Sequence, residues 1–241
     1  MLAQTLSFTV AGIQWETPTI YSLHLTPPQS AGFAFLPGQF VMIGLEHEGV
    51  LMKRPYSISS SPTRRQSIEL TIRLTGPFTK RLSELVVGSE VWAQGPFGAF
   101  VFDEQVHHDI VLLAGGVGVA PEKAMLEFVA DRGLSVSTIL FYGNRTPQET
   151  AYHDQLTKLS QAYSQCRVVC TVDESSHGWT GEVGFIDHAM LVKYIGRDWD
   201  GKTFFVCGPP AFVETMMTVL ESAQVDKTNI KTERFTGLSV K

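Results

Sequence analysis

The period of the hydrophobic pattern changes near residue 105, and this change limits the fold more than any other feature of the chain. Before it, short alternating segments follow one another: SFTVAGIQW (7–15), IYSLHL (20–25), QFVMIGL (39–45), YSISSS (56–61), SIELTIRL (67–74) and EVWAQG (90–95). Turn signals separate them, at Pro27-Pro28, Pro37-Gly38, Gly49, Pro62, Gly76-Pro77, Gly88 and Gly95-Pro96. Many short strands with such punctuation predict an antiparallel sandwich or barrel. One helix is expected over Thr79–Leu85, where Leu82 and Leu85 share a face.

After residue 105 strands alternate with helices. Apolar runs at 109–116, 137–143, 167–172, 203–208 and 229–235 read as strands. Helices are expected after Pro121, near Pro147–Leu159, around Ile186–Ile195 and from Pro209 to Ala223. Alternation of this kind implies a parallel, doubly wound α/β sheet. Charges interrupt the apolar runs over Phe102–Asp109, which places the domain boundary there, with units of 1–104 and 105–241.

Composition removes several classes of function. Nineteen basic against twenty-four acidic residues leave a net charge of −5, and a main nucleic-acid partner needs a basic face. No run of 18 apolar residues occurs, which argues against a spanning helix, and the N-terminus lacks the pattern of a secretory signal. The three cysteines, Cys166, Cys170 and Cys207, then read as reduced thiols of a cytoplasmic protein. They are too few for a four-thiolate cluster, and no site of metal-ligand spacing accompanies them.

Chemistry concentrates first in AGGVGVAP (114–121), between a buried strand and a helix. Gly115, Gly116 and Gly118 let the backbone turn and leave room for a phosphate, and the helix beyond them presents unpaired N–H groups. Tight turns and close packing also use glycine clusters. The G-x-G-x-x-G pattern is incomplete around Pro121, and no Gly-Lys-Ser/Thr follows. CGPPAF (207–212) repeats the arrangement at a later strand end. Ligands in such sheets bind beyond the carboxyl ends of the strands, which puts Cys207, Gly208 and Pro209 beside a ligand. A core cysteine is the competing reading of Cys207.

At this point the chain resembles the ferredoxin–NADP reductase superfamily of flavoproteins. RPYS (54–57) is similar to its flavin signature and GPFT (76–79) to its phosphate turn. LPGQF, GPFG, GGVGVAP, FYGNRT and CGPP follow as further landmarks in order. The resemblance covers nearly the whole chain. It implies a six-stranded antiparallel β-barrel binding FAD, followed by the α/β nucleotide domain. It also implies that Arg54 pairs with the FAD pyrophosphate, Tyr56 stacks on the isoalloxazine and Ser57 bonds near its reactive edge. Pro55, Arg73, Gly76, Phe78 and Thr79 complete the flavin side, with Thr79 capping the helix that faces the pyrophosphate. Cys207 then approaches the nicotinamide, Glu233 neighbours the reactive centre and Phe235 covers the flavin. Thr171 and Asp173 lie on the nicotinamide path, with turn chemistry as their alternative, and a core position is the alternative for Phe235.

Coenzyme choice turns on FYGNRTPQETAY (141–152). A 2′-phosphate needs a cationic partner. Asn144, Arg145 and Tyr152 resemble the pattern of NADP-using members, so NADPH is expected over NADH. The implied activity is an NAD(P)H oxidoreductase that gives single electrons to ferredoxin or flavodoxin. The alternatives are the reductase component of an oxygenase, a flavin reductase, or a non-catalytic subunit of a larger redox complex. The basic residues of the first unit, Lys53, Arg54, Arg64, Arg65, Arg73, Lys80 and Arg81, motivate an acidic carrier, although a solvated face explains them too. The tail TGLSVK (236–241) is long enough to swing over the flavin or adenine, and its role stays open.

Overall fold

The computed structural model describes residues 3–28, 32–47 and 49–235, so the TGLSVK tail lies outside the described residues. The first six-stranded sheet contains β1 (Gln4–Thr17), β2 (Ile20–Thr26), β3 (Phe40–His47), β4 (Val50–Ser57), β5 (Ile68–Arg73) and β6 (Glu90–Phe97). Its order is β4-β3-β6-β1-β2-β5, antiparallel throughout. A bridge between Ile58 and Leu70 joins the two edges and closes the barrel. The alternation expected of half-buried strands appears in β1, where Phe8 and Val10 point into the barrel core.

Burial on β2 and β5 is two-sided, and docking of the second unit explains it. Tyr21, Leu23, Leu70 and Ile72 fill the barrel, while Ile20 packs into the core of the second unit. Ser22, Glu69 and Thr71, on the outer face, are also buried.

The second sheet is parallel, with β7 (Asp109–Gly115), β8 (Ser137–Asn144), β9 (Cys166–Val172), β10 (Glu182–Val183), β11 (Thr203–Gly208) and β12 (Ile230–Arg234) in the order β10-β9-β8-β7-β11-β12. Helices α2 (Val119–Arg132) and α3 (His153–Ala162) cover one face through Met125, Val129 and Leu156. Helices α4 (His188–Ile195) and α5 (Pro210–Ser222) cover the other through Leu191, Val213 and Leu220. Leu112 and Leu140 face the first pair, Val111 and Ile139 the second, so these strands are apolar without alternation. Each fully buried side chain of this size contributes about 1.5–3 kcal/mol. The strand order reverses between β7 and β11, the switch point where open α/β sheets bind ligands.

Several boundaries differ from the sequence reading. Helix α2 starts at Val119, and Pro121 sits in its first turn, where no intrahelical N–H is required. The segment expected from Pro147 splits into a 3₁₀ turn, Pro147–Glu149, and α3. The expected strand 56–61 ends at Ser57, because Ser59 and Ser60 turn their hydroxyls to Glu69. The short helix α1 runs Pro77–Ser83. The two-residue β10 escaped notice, being too short to carry a period. Among the described residues no helix is long and apolar enough to cross a membrane.

Candidate functional site

At the switch point two loops cross so closely that only glycine fits. A Cβ on Gly118 would lie 2.2 Å from the Cys207 carbonyl oxygen and 2.8 Å from the Gly208 Cα. One on Gly115 would meet the Phe212 ring at 2.7 Å, and one on Gly208 would meet it at 2.8 Å. These three glycines are therefore required by close packing. Gly116 differs: its φ of 55° is left-handed, and its open side meets only the Arg73 guanidinium, 3.5 Å from the position of a Cβ. Arg73 of the first unit thus lies beside the glycine loop of the second.

Along β4, Met52, Arg54 and Tyr56 are half-buried, while Leu51, Lys53 and Pro55 face outward. The rings of Tyr56 and buried Phe78 stack at 6.5 Å with 13° between their planes. The Arg54 guanidinium lies 5.6 Å from the Phe78 ring and donates to the Lys53 carbonyl at 2.8 Å. Gly76 has open space where a Cβ would stand and an extended φ of −179°, so nothing in the described protein demands glycine there. Thr79 is not the capping residue itself. It is the third residue of α1, and its hydroxyl accepts from the Gly76 N–H at 3.1 Å and the Thr75 N–H at 2.9 Å. A half-covered aromatic face, a guanidinium without an ion pair among the described residues and a vacant turn fit a dinucleotide with a flat ring.

Ser57, Cys207 and Glu233 come together, although their elements are far apart in sequence. Ser57 ends β4, and its hydroxyl donates to a Glu233 carboxylate oxygen at 3.0 Å. Cys207 and Glu233 are direct register partners on β11 and β12. Burial raises the Glu233 carboxyl above its usual range, and the Ser57 bond opposes this. The Cys207 thiol is pushed well up by burial, then by Glu122 and Glu233, and so stays protonated. Phe235 follows β12, half-buried against the core, with its N–H on the Gly208 carbonyl at 3.0 Å.

The oxidoreductase FAD-binding domain model matches residues 12–102, and the oxidoreductase NAD-binding domain model matches 112–218. The chain therefore carries an oxidoreductase FAD-binding domain followed by an oxidoreductase NAD-binding domain, and ferredoxin reductase-like proteins are among those it is similar to. It is 32% identical over 226 residues to the glycine betaine monooxygenase reductase subunit of Chromohalobacter salexigens, covering 91% of this chain and 61% of that protein. The chain therefore spans about three-fifths of that relative's length. A structure described as ferredoxin reductase in carbazole 1,9a-dioxygenase is 26% identical, with a TM-score of 0.83, over 98% of this chain and 70% of that one. The cytochrome b5 reductase domain of Ulva prolifera nitrate reductase shares the fold, with a TM-score of 0.86 at 19% identity over 95% and 97% of the two chains.

Within this two-domain frame, the residues expected at the coenzyme fall into two places. Asn144 is buried at the end of β8, and its amide has no hydrogen-bond partner among the described residues, which fits a polar ligand there. Arg145 is exposed beside it and pairs with Glu174 at 3.2 Å. Thr171 is buried and donates to the Gly184 carbonyl, while Asp173 is exposed at the strand end. Tyr152 is not beside Arg145. It is buried between the units, with its hydroxyl 2.6 Å from Ser22, 2.8 Å from Thr71 and 3.0 Å from Glu69.

Tyr152 joins a buried polar network that the sequence reading missed. Lys123 Nζ meets Glu127 at 3.0 Å, Glu69 at 3.1 Å and the Ser59 carbonyl at 3.2 Å. Burial would raise the Glu69 carboxyl, but Lys123 and the Ser59 hydroxyl hold it below the usual range. Arg64 also turns to this interface, 3.0 Å from Glu127, so the basic group of the first unit is partly spent within the molecule. The sequence marks it only by Glu122-Lys123, two adjacent charges in the first turns of the helical run.

Proposed function

We propose that this chain is an FAD-dependent NAD(P)H oxidoreductase that serves as the reductase component of an oxygenase system. The observation that carries this reading is the Ser57–Glu233 hydrogen bond between the two units, in register with Cys207 at the switch point. Names of relatives support the oxygenase setting, since one is a monooxygenase reductase subunit and another belongs to a dioxygenase system. The flavin unit is 1–104 and the nucleotide unit 105–241. The partner is an electron carrier or the oxygenase itself, and ferredoxin or flavodoxin is the carrier this reading names. Exposed Arg65 is part of the docking face.

Arg54 would hold the FAD pyrophosphate, Tyr56 and Phe78 would orient its ring, and Gly76 would leave room for the phosphates. Thr79 fixes that turn through the Gly76 N–H. FAD, when bound, supplies an acceptor for a hydride and a store that releases electrons one at a time. The protein's own contribution is orientation. Gly118 lets the Cys207 loop close on the glycine loop, and the Ser57 hydroxyl, which donates its proton to Glu233, would stand near the flavin when it is bound. Gly115, Gly116, Pro121, Gly208 and Pro209 shape the nucleotide path, with Asn144, Thr171 and Asp173 along it. The preference for NADPH rests on Arg145 alone, because Tyr152 lies elsewhere.

An absorbance spectrum followed by anaerobic additions of NADPH and NADH tests the reading. A yellow protein bleached rapidly by one coenzyme supports it and reports the preference. A protein that remains colourless after FAD is supplied overturns it.

A further inference from the structure

Glu122, in the first full turn of α2, has no solvent exposure, and neither carboxyl oxygen makes a well-formed hydrogen bond among the described residues, with only the backbones of Leu113 and Cys207 approaching it. An ionised carboxylate in that position is very costly, whereas a neutral one is tolerable. Burial drives the Glu122 carboxyl well above the usual range and the charge of Glu233 drives it further, while the backbones of Leu113 and Cys207 pull weakly the other way. Those backbones belong to β7 and β11, the two strands that flank the switch point. Cys207 from β11 and Glu233 from β12 are the titratable groups that face it. Its neighbour Lys123 turns away, to Glu69 and Glu127. Among the described residues the Ser57 hydroxyl bonds only Glu233.

Two carboxyls sharing a water-poor corner do not both ionise easily. We propose that Glu122 is a positioning residue of the hydride-transfer site: it remains a neutral acid behind Cys207 and so reserves the single negative charge of this corner for Glu233, which Ser57 meets. This rests on the functional reading above. The pair then titrates in two separated steps. The lower step charges Glu233, whose charge the Ser57 hydroxyl stabilises. The upper step charges Glu122 and places a second negative charge beside Cys207. Past it, productive hydride transfer declines by about tenfold per pH unit.

The test uses the full-length holoprotein with Glu122→Gln and, in case the amide fits poorly, Glu122→Met. Three readouts are compared with wild type: flavin bleaching by NAD(P)H against pH, the melting temperature against pH, and the infrared carbonyl band of protonated carboxyls at neutral pH. The band is expected in wild type and reduced in both variants. A folded-state value raised above the unfolded one makes stability fall as pH rises beyond the ordinary carboxylate range. The melting temperature of each variant should therefore gain on wild type as pH increases. Both variants should lose the alkaline decline of flavin bleaching, giving at least tenfold faster bleaching than wild type two pH units above the upper step. Absence of a Glu122-dependent band overturns the neutral acid. A variant that changes stability but keeps the alkaline decline overturns the positioning role. If neither coenzyme bleaches the flavin, the functional reading and the positioning role fall together, while the band and the melting temperatures still decide whether Glu122 is neutral.

Discussion

Two consecutive residues of α2, Glu122 and Lys123, are both fully buried and meet opposite surroundings. Lys123 points into the interface between the units and finds two carboxylates and a carbonyl within 3.2 Å. Glu122 points toward the strand ends at the switch point and makes no well-formed hydrogen bond among the described residues. A paired buried charge stays ionised and joins elements, since removing either member strands the other. An orphaned one gives up its charge and becomes sensitive to neighbouring charges. The contrast separates a structural region from the proposed reactive one within a single helical turn.

The sharpest way to break this contrast is Lys123→Met, which leaves Glu69 buried without its cation and Glu127 with Arg64 alone. The expected cost is about 3–5 kcal/mol, measured by urea unfolding at neutral pH. The pH dependence has a definite sign. Glu69 has a folded value below its ordinary 4.5, so its contribution is present above that value and is lost as pH falls through the folded one. The gap between wild type and variant should narrow under acid. A gap that is constant from neutral pH to below pH 4 would show that the pairing does not supply the stability.

Gly118→Ala tests the reactive region by packing. Its Cβ would stand 2.2 Å from the Cys207 carbonyl oxygen, which is backbone, so the two loops must part. About 1–3 kcal/mol of stability should be lost, with flavin bleaching by NAD(P)H slowed at least tenfold in stopped flow. Unchanged bleaching would show that closure of these loops has no part in the reaction. Tyr152→Phe tests the interface with a smaller change. It removes one hydroxyl from a group that bonds Ser22, Thr71 and Glu69, at a cost of about 1–3 kcal/mol by thermal unfolding. The ratio of kcat/KM for NADPH to that for NADH should not change, since this hydroxyl lies between the units. A shifted ratio would return Tyr152 to the coenzyme site.

The part of the fold carried by period was legible. Alternation before residue 105 and apolar runs after it identified both sheets, because those patterns reflect which faces are buried. The corner formed by Ser57, Cys207 and Glu233 was legible only through the resemblance, since no local rule brings β4 to β12. The interface network was not legible. Ser22, Glu69 and Thr71 occupy the outward-facing positions of their strands, which normally meet water, and only docking of the second unit buries them. The same docking removed Tyr152 from the neighbourhood suggested by its spacing from Arg145. In α2, Glu122 and Lys123 carry no mark in the sequence of their burial, because that burial comes from packing of the helix on both sides.

Glu174→Gln should have the smallest effect on stability and bears on Arg145, the exposed member of the Asn144, Arg145 and Tyr152 set. Arg145 and Glu174 are both mostly exposed, so the pair contributes about 0–1 kcal/mol. Its meaning is electrostatic. A 2′-phosphate arriving at Arg145 meets a guanidinium already engaged by Glu174, with Asp173 as the preceding residue. Replacing the carboxylate by an amide keeps the shape, removes one negative charge and leaves the guanidinium available to a phosphate. If Arg145 is the 2′-phosphate partner, KM for NADPH should fall several-fold while that for NADH changes little. Equal changes for both coenzymes would place Arg145 on a part of the dinucleotide that they share, such as the pyrophosphate or adenine, and would remove the remaining basis for an NADPH preference. Because the pair lies at the surface, the effect should also weaken with added salt, whereas the Lys123 network, being buried, should respond far less.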